Sequence, residues 1–155
     1  MSQTEKQQHV LRLFFMNKFK LKELYELYSL KFPQYGNLWR NLIKAKNDQL
    51  KAIADFIAKL GGREFCRLNE YSVQTVVYIG EFLDSQIKKV KSQHQPAKEA
   101  LGITLSLEQS MLEKKSSEII YPLNSRLELI LNKIKWEADR QQMILTKAFE
   151  KASRI

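Results

Sequence analysis

The stretch that most constrains this chain runs from about Tyr35 to Leu60, YGNLWRNLIKAKNDQLKAIADFIAKL. Trp39, Leu42, Lys46, Gln49, Ile53, Phe56 and Leu60 recur there at steps of three and four, the spacing of one helix face. An amphipathic helix of this length must hide that face against other helices. Two polar residues, Lys46 and Gln49, stand in the stripe at mid-height, where an ordinary bundle helix would carry leucines.

The rest of the chain repeats the pattern. A first helix is predicted from about Thr4 to Lys31, striped by Val10, Phe14, Asn17, Leu21, Leu24 and Tyr28, with Lys18, Lys20, Lys22 and Glu23 mostly off the stripe. Pro33 ends it, because proline lacks a backbone donor and disfavours helix in the residue before it. The short FPQYGN connection makes the first two helices antiparallel neighbours. Gly61 and Gly62 are predicted to close the second helix in a left-handed conformation. Residues 63–71 read as irregular or as a short turn of helix.

Val73, Val76, Gly80, Leu83, Ile87 and Val90 predict an extra helix from Ser72 to about Val90, with Gly80 allowing a close helix approach. VVYI has strand character, but no second strand is available to it. Pro96 suits the start of a third bundle helix reaching about Ile120, with Leu101, Leu105, Glu108, Leu112 and Ile119 on its stripe. After Pro122, Ser125 and Glu128 have capping-box spacing for a last helix. That helix is striped by Leu127, Ile130, Ile134, Ala138, Gln141, Leu145, Ala148 and Ala152. The expectation is one all-α domain over 1–155, an antiparallel four-helix bundle with a long crossover between helices two and three.

Polar residues interrupt the stripe of each of the four bundle helices near its middle: Asn17, Lys46 with Gln49, Glu108, and Gln141. Helices packed antiparallel meet at mid-height, so a central polar layer is expected. There Lys46 pairs with Glu108 while Gln49, Gln141 and Asn17 fill the remaining hydrogen-bond positions. The alternatives are a Lys46 that reaches solvent along its methylene stem, leaving a wet layer, or a bound small ligand or single ion. Glu23, Glu26 and Glu113 read as solvated helix-face charges.

FPQYGNLWRNLIKAKNDQLKAI resembles the second helix of the ferritin-like superfamily, rubrerythrin-like branch, and ALGITLSLEQSMLE resembles its third helix. The resemblance implies a ferritin-like bundle whose inward carboxylates and histidines hold two iron or manganese ions. Position by position, the family's helix-two Glu-x-x-His pair falls on Lys46 and Gln49. Its helix-four pair falls on Ala138 and Gln141, or on Glu137 and Arg140 if the register slips by one. The helix-one glutamate falls on Leu21, and only Glu108 survives. His9 and His94 lack a glutamate three residues earlier and sit near predicted helix ends. No resident metal or other cofactor is therefore expected, because one carboxylate beside an ammonium does not balance two cations.

No glycine-rich phosphate loop, nucleophile elbow or zinc-ligand spacing occurs in the sequence. Cys66, the only cysteine, reads as a small buried residue despite Arg63 and Arg67 nearby, and it fits a reducing cytosol. The opening MSQTEKQQH has no signal-peptide pattern, and no stretch approaches the roughly 18 apolar residues of a membrane span, so a cytoplasmic protein without membrane contact is expected. The formal net charge of +9 admits anionic partners, but the lysines are scattered and are not interleaved with aromatics as in a nucleic-acid motif. The leading expectation is a non-enzymatic structural or partner-binding bundle, with a homodimer or an unknown protein as partner. The alternatives are a divergent metal-binding oxidoreductase using Glu108 and Glu137, and a basic nucleic-acid-binding bundle.

Overall fold

A computed structural model describes residues 1–154. Over the described residues the architecture is all-α, with five α-helices and one two-stranded ribbon. The helices are α1 (Gln3–Lys31), α2 (Gly36–Ala58), α3 (Ser72–Ser92), α4 (Ala97–Glu108) and α5 (Ser125–Ser153). The ribbon pairs β1 (Cys66–Arg67) antiparallel to β2 (Tyr121–Pro122). It supplies a second strand where the sequence offered none, and it lies outside the VVYI run, which is helical in α3.

The path follows from contacts between elements. Tyr25 and Tyr28 pack against Trp39 with tilted rings, and the indole N–H of Trp39 donates to Phe32 O at 3.1 Å, so α2 turns straight back along α1. Phe65, past the end of α2, donates its N–H to Gln7 Oε1 at 3.2 Å beside the start of α1. From there α3 climbs parallel to α1. Asn17 Nδ2 donates to Val76 O at 2.7 Å, Lys20 meets Asp84 at 3.1 Å, and Lys31 donates to Gln93 O at 3.3 Å. Gly80 makes this approach possible, since a Cβ there would stand 2.8 Å from Asn17 Oδ1. The chain then descends through α4 to Glu118, whose carbonyl accepts from Asn69 Nδ2 at 2.8 Å. Finally α5 rises antiparallel to α2, from Arg126 beside Asp55 to Glu137 beside Gln49. The directions are therefore up, down, up, down, up.

Helix boundaries differ from the sequence expectation in three places. Helix α4 stops at Glu108 and does not continue to Ile120. Ser110 Oγ donates to Leu107 O and accepts from Leu112 N, which offers the backbone a local alternative to the helix ladder. The coil of turns that follows carries Leu112, Glu113, Ser116, Ile119 and Ile120 into the interior. Helix α2 ends at Ala58 with Lys59 as its C-cap at negative φ, and no described glycine has positive φ, so Gly61 and Gly62 do not act as left-handed caps.

The third difference is the cap of α5. Asn124 rather than Ser125 caps this helix, its side chain accepting from Arg126 N and Leu127 N, so the Ser125/Glu128 box does not form. Asn124→Ala is expected to cost about 1 kcal/mol. Ser125→Ala is expected to be nearly neutral, as chemical denaturation of both variants would show.

Candidate functional site

The waist of the protein holds a closed cluster of four charges. Lys46 Nζ lies 3.0 Å from Glu108 Oε1 and also contacts Glu113, while Lys18 Nζ contacts the other oxygen of Glu113. All four side chains are 0–1% exposed. Tyr25 OH donates to Glu108 Oε2 at 2.7 Å, so each carboxylate oxygen has a donor. Two ammonium and two carboxylate groups make the cluster formally neutral. That balance is the condition for burying charges at all, since an unpaired buried ion costs several kcal/mol in lost hydration.

Each member is placed by a different element. Lys46 occupies the central stripe position of α2, and Glu108 is the last residue of α4. Glu113 arrives through the turns after α4. Lys18 sits one position past the α1 stripe, but α1 is packed by α2 on one side and α3 on the other. Its buried face is correspondingly wide: Leu11, Lys18 and Tyr25 form a second row beside Val10, Asn17 and Leu24.

The electrostatics follow from the count of partners. Burial pulls both lysines toward neutrality, but Lys46 faces two carboxylates, which hold its pKa above the ordinary value. Lys18 faces mainly Glu113 and has Lys46 nearby, so burial wins and lowers its pKa from 10.5 to about 8. Burial pushes Glu108 up against the pull of Lys46, and it pushes Tyr25 up with help from Glu108, keeping the phenol a donor. Burial also drives the Cys66 thiol up to about 12, so it is not a nucleophile near neutral pH.

The Lys18 shift has a stability consequence with a definite sign. The folded protein releases this proton near pH 8, whereas the unfolded chain keeps it to about 10.5. Between those values the unfolded state binds more protons, so this group makes folding more favourable as pH rises. Unfolding free energies from pH 7 to 10 should therefore climb more steeply, or fall less, in the native protein than in Lys18→Met.

The other residues singled out in the sequence lie around this cluster without joining it. Asn17 is buried but donates to the α3 backbone at Val76, so it ties α1 to α3 instead of completing the polar layer. Gln49 donates to Glu137 Oε2 at 3.0 Å, not to the Lys46–Glu108 pair. Its Oε1 and that of Gln141 are buried without a hydrogen-bond partner among the described residues, so the two glutamines do not bond to each other. In α5, Ala138 and Gln141 face inward, while Glu137 is half-buried and Arg140 exposed, so the register with Ala138 and Gln141 inside is the one adopted.

Two residues of the site were misplaced by sequence reasoning. Glu113, read as a solvated charge, is fully buried, and Lys18, read as lying off the stripe, is fully buried as well. Lys18 had a signal: it stands seven residues from both Leu11 and Tyr25, which are core positions. Glu113 had none, because it lies beyond the end of the regular helix.

The donor set does not suit a pair of metal ions. The negative charge of the two carboxylates is already offset by two ammonium groups, which would also repel dications. Among the described residues, no three His, Cys, Asp or Glu side chains are grouped to hold a metal ion. Glu108 and Glu137, the carboxylates of the metal-binding alternative, are engaged with different partners. Among the described residues, no helix is long and apolar enough to cross a membrane. Comparison with known proteins finds no matching family model, no matching curated protein and no matching solved structure.

Proposed function

We propose that this chain is a ferritin-like, rubrerythrin-related bundle that has lost its di-metal site and serves as a non-enzymatic structural or partner-binding module. The observation that carries the reading is the position of Lys46. It stands where the resemblance puts a helix-two metal ligand, and its ammonium is shared by Glu108 and Glu113 in a sealed, neutral cluster. A site whose anions are already neutralised from within has no charge left to hold dications.

The chain path also supports the ferritin-like part of the reading. Helices α1 and α2 form one antiparallel pair and α4 and α5 another, with Phe149 of α5 packed over Gly102 of α4. The long return between the pairs runs through α3. With the centre occupied by its own side chains, activity would have to reside on the surface.

Metal analysis tests the proposal. Protein purified from cultures supplemented with iron and manganese is expected to carry well under one metal ion per chain and to leave the rate of iron(II) oxidation by oxygen unchanged. Two ions per chain, or catalysed oxidation, would overturn it.

A further inference from the structure

The outer face of α5 carries a second pattern that the core does not explain. Leu129, Trp136 and Met143 recur every seven residues and are 70%, 59% and 66% exposed. Four residues after each stands a cation: Lys133, Arg140 and Lys147. The basic row extends at the same spacing to Arg126 and Arg154, and all five are exposed. Arg126 is committed to Asp55, but Lys133, Arg140 and Lys147 make no ion pair among the described residues. Asp139, on the flank of the face, is held by Lys114 at 3.2 Å and does not neutralise the row. The Arg140 guanidinium lies over the Trp136 ring at 5.4 Å, which keeps both side chains on the same face.

From this geometry we propose that α5 docks an acidic amphipathic helix of a partner protein. Seven residues of helix advance about 10.5 Å, so both rows are periodic with a pitch that a second helix reproduces residue for residue. Leucine-type residues of the partner would lie on Leu129, Trp136 and Met143. Carboxylates at its flanking positions would meet Lys133, Arg140 and Lys147. A recess of about 150 Å³ between α2 and α5, lined by Asp48, Gln49, Ala52, Leu129, Ile130 and Lys133, offers a seat for one anchoring side chain beside the apolar row.

The other occupants fit less well. A second copy would bring two basic rows together. A membrane surface calls for a broad apolar face, but the exposed large apolar residues of α5 are Leu129, Trp136, Met143 and Ile144, set among cations, and the broad face of α5 is spent on the core. A nucleic acid would use the cations and leave the apolar row without a counterpart. The inference deepens the partner-binding part of the proposed function and rests on it only in placing activity at the surface.

The test uses the full chain and a fluorescein-labelled synthetic peptide of three heptads, with leucine at the seam and glutamate at the flanking positions. A second peptide has the same composition in scrambled order. Anisotropy titrations should show the ordered peptide binding at least about tenfold more tightly than the scrambled one, with affinity falling as salt rises. The Lys133→Glu, Arg140→Glu, Lys147→Glu triple variant and, separately, Trp136→Ala should each weaken binding about tenfold or more. Unchanged circular dichroism would show that these exposed substitutions leave the helices intact. Four results would overturn the proposal: no binding, equal binding of the scrambled peptide, tighter binding of duplex DNA or phosphatidylserine vesicles, or a sedimenting dimer that buries Trp136. Metal content measured on the same sample keeps the two readings apart, since failed docking in metal-free protein leaves the lost-metal-site reading standing.

Discussion

Lys46→Met is expected to destabilise the protein by about 3–5 kcal/mol, because it leaves Glu108 and Glu113 buried together with the charge of only one lysine to offset two carboxylates. For a chain of this size that corresponds to a fall in Tm of very roughly 6–20 °C, at about 2–4 °C per kcal/mol. Methionine has nearly the right length to fill the space, so the loss is electrostatic and not a cavity effect. Lowering the pH should restore part of the stability, because burial raises the Glu108 pKa and a protonated Glu108 no longer needs a cation. Thermal melts of the native protein and of Lys46→Met at pH 5 and pH 7 would show this as a smaller gap at the lower pH.

Glu113→Leu is expected to cost a similar amount, about 3–5 kcal/mol, although the sequence places Glu113 among the surface charges. The substitution leaves Lys18 without its carboxylate and Lys46 with Glu108 alone. Adding Lys18→Met should recover much of the loss, since the remaining Lys46–Glu108 pair is neutral and keeps its Tyr25 hydrogen bond. A solvated glutamate would behave differently, with Glu113→Leu staying within about 0.5 kcal/mol of the native protein and Lys18→Met giving no recovery. Denaturant titrations of the two single variants and the double variant separate these outcomes.

These two predictions also mark how far the sequence was legible. Helix positions were readable because each bundle helix hides one face, and the three-and-four spacing of Trp39, Leu42, Ile53 and Phe56 records that face directly. The inward placement of Lys46 and Glu108 was readable for the same reason, as polar residues at positions periodicity reserves for the core. Lys18 escaped because periodicity was read as a single stripe, whereas a helix packed by two neighbours buries two rows. Glu113 escaped because nothing local marks it. Ser110 breaks the helix by competing for backbone hydrogen bonds, and a residue in irregular backbone carries no periodic signal. The cap of α5 was missed by one residue, Asn124 for Ser125, because both are good capping types and only the geometry chooses between them.

The proposal that lysine ammonium groups stand in the place of metal ions rests on their neutralising the carboxylates at the bundle waist. A crystal structure with anomalous data collected above the iron and manganese absorption edges tests it most directly. The account predicts Lys46 Nζ within hydrogen-bonding distance of both Glu108 and Glu113, with Lys18 on the far side of Glu113 and no anomalous peak between the carboxylates. A pair of anomalous peaks bridged by Glu108, or a Lys46 side chain extended to solvent, would contradict it.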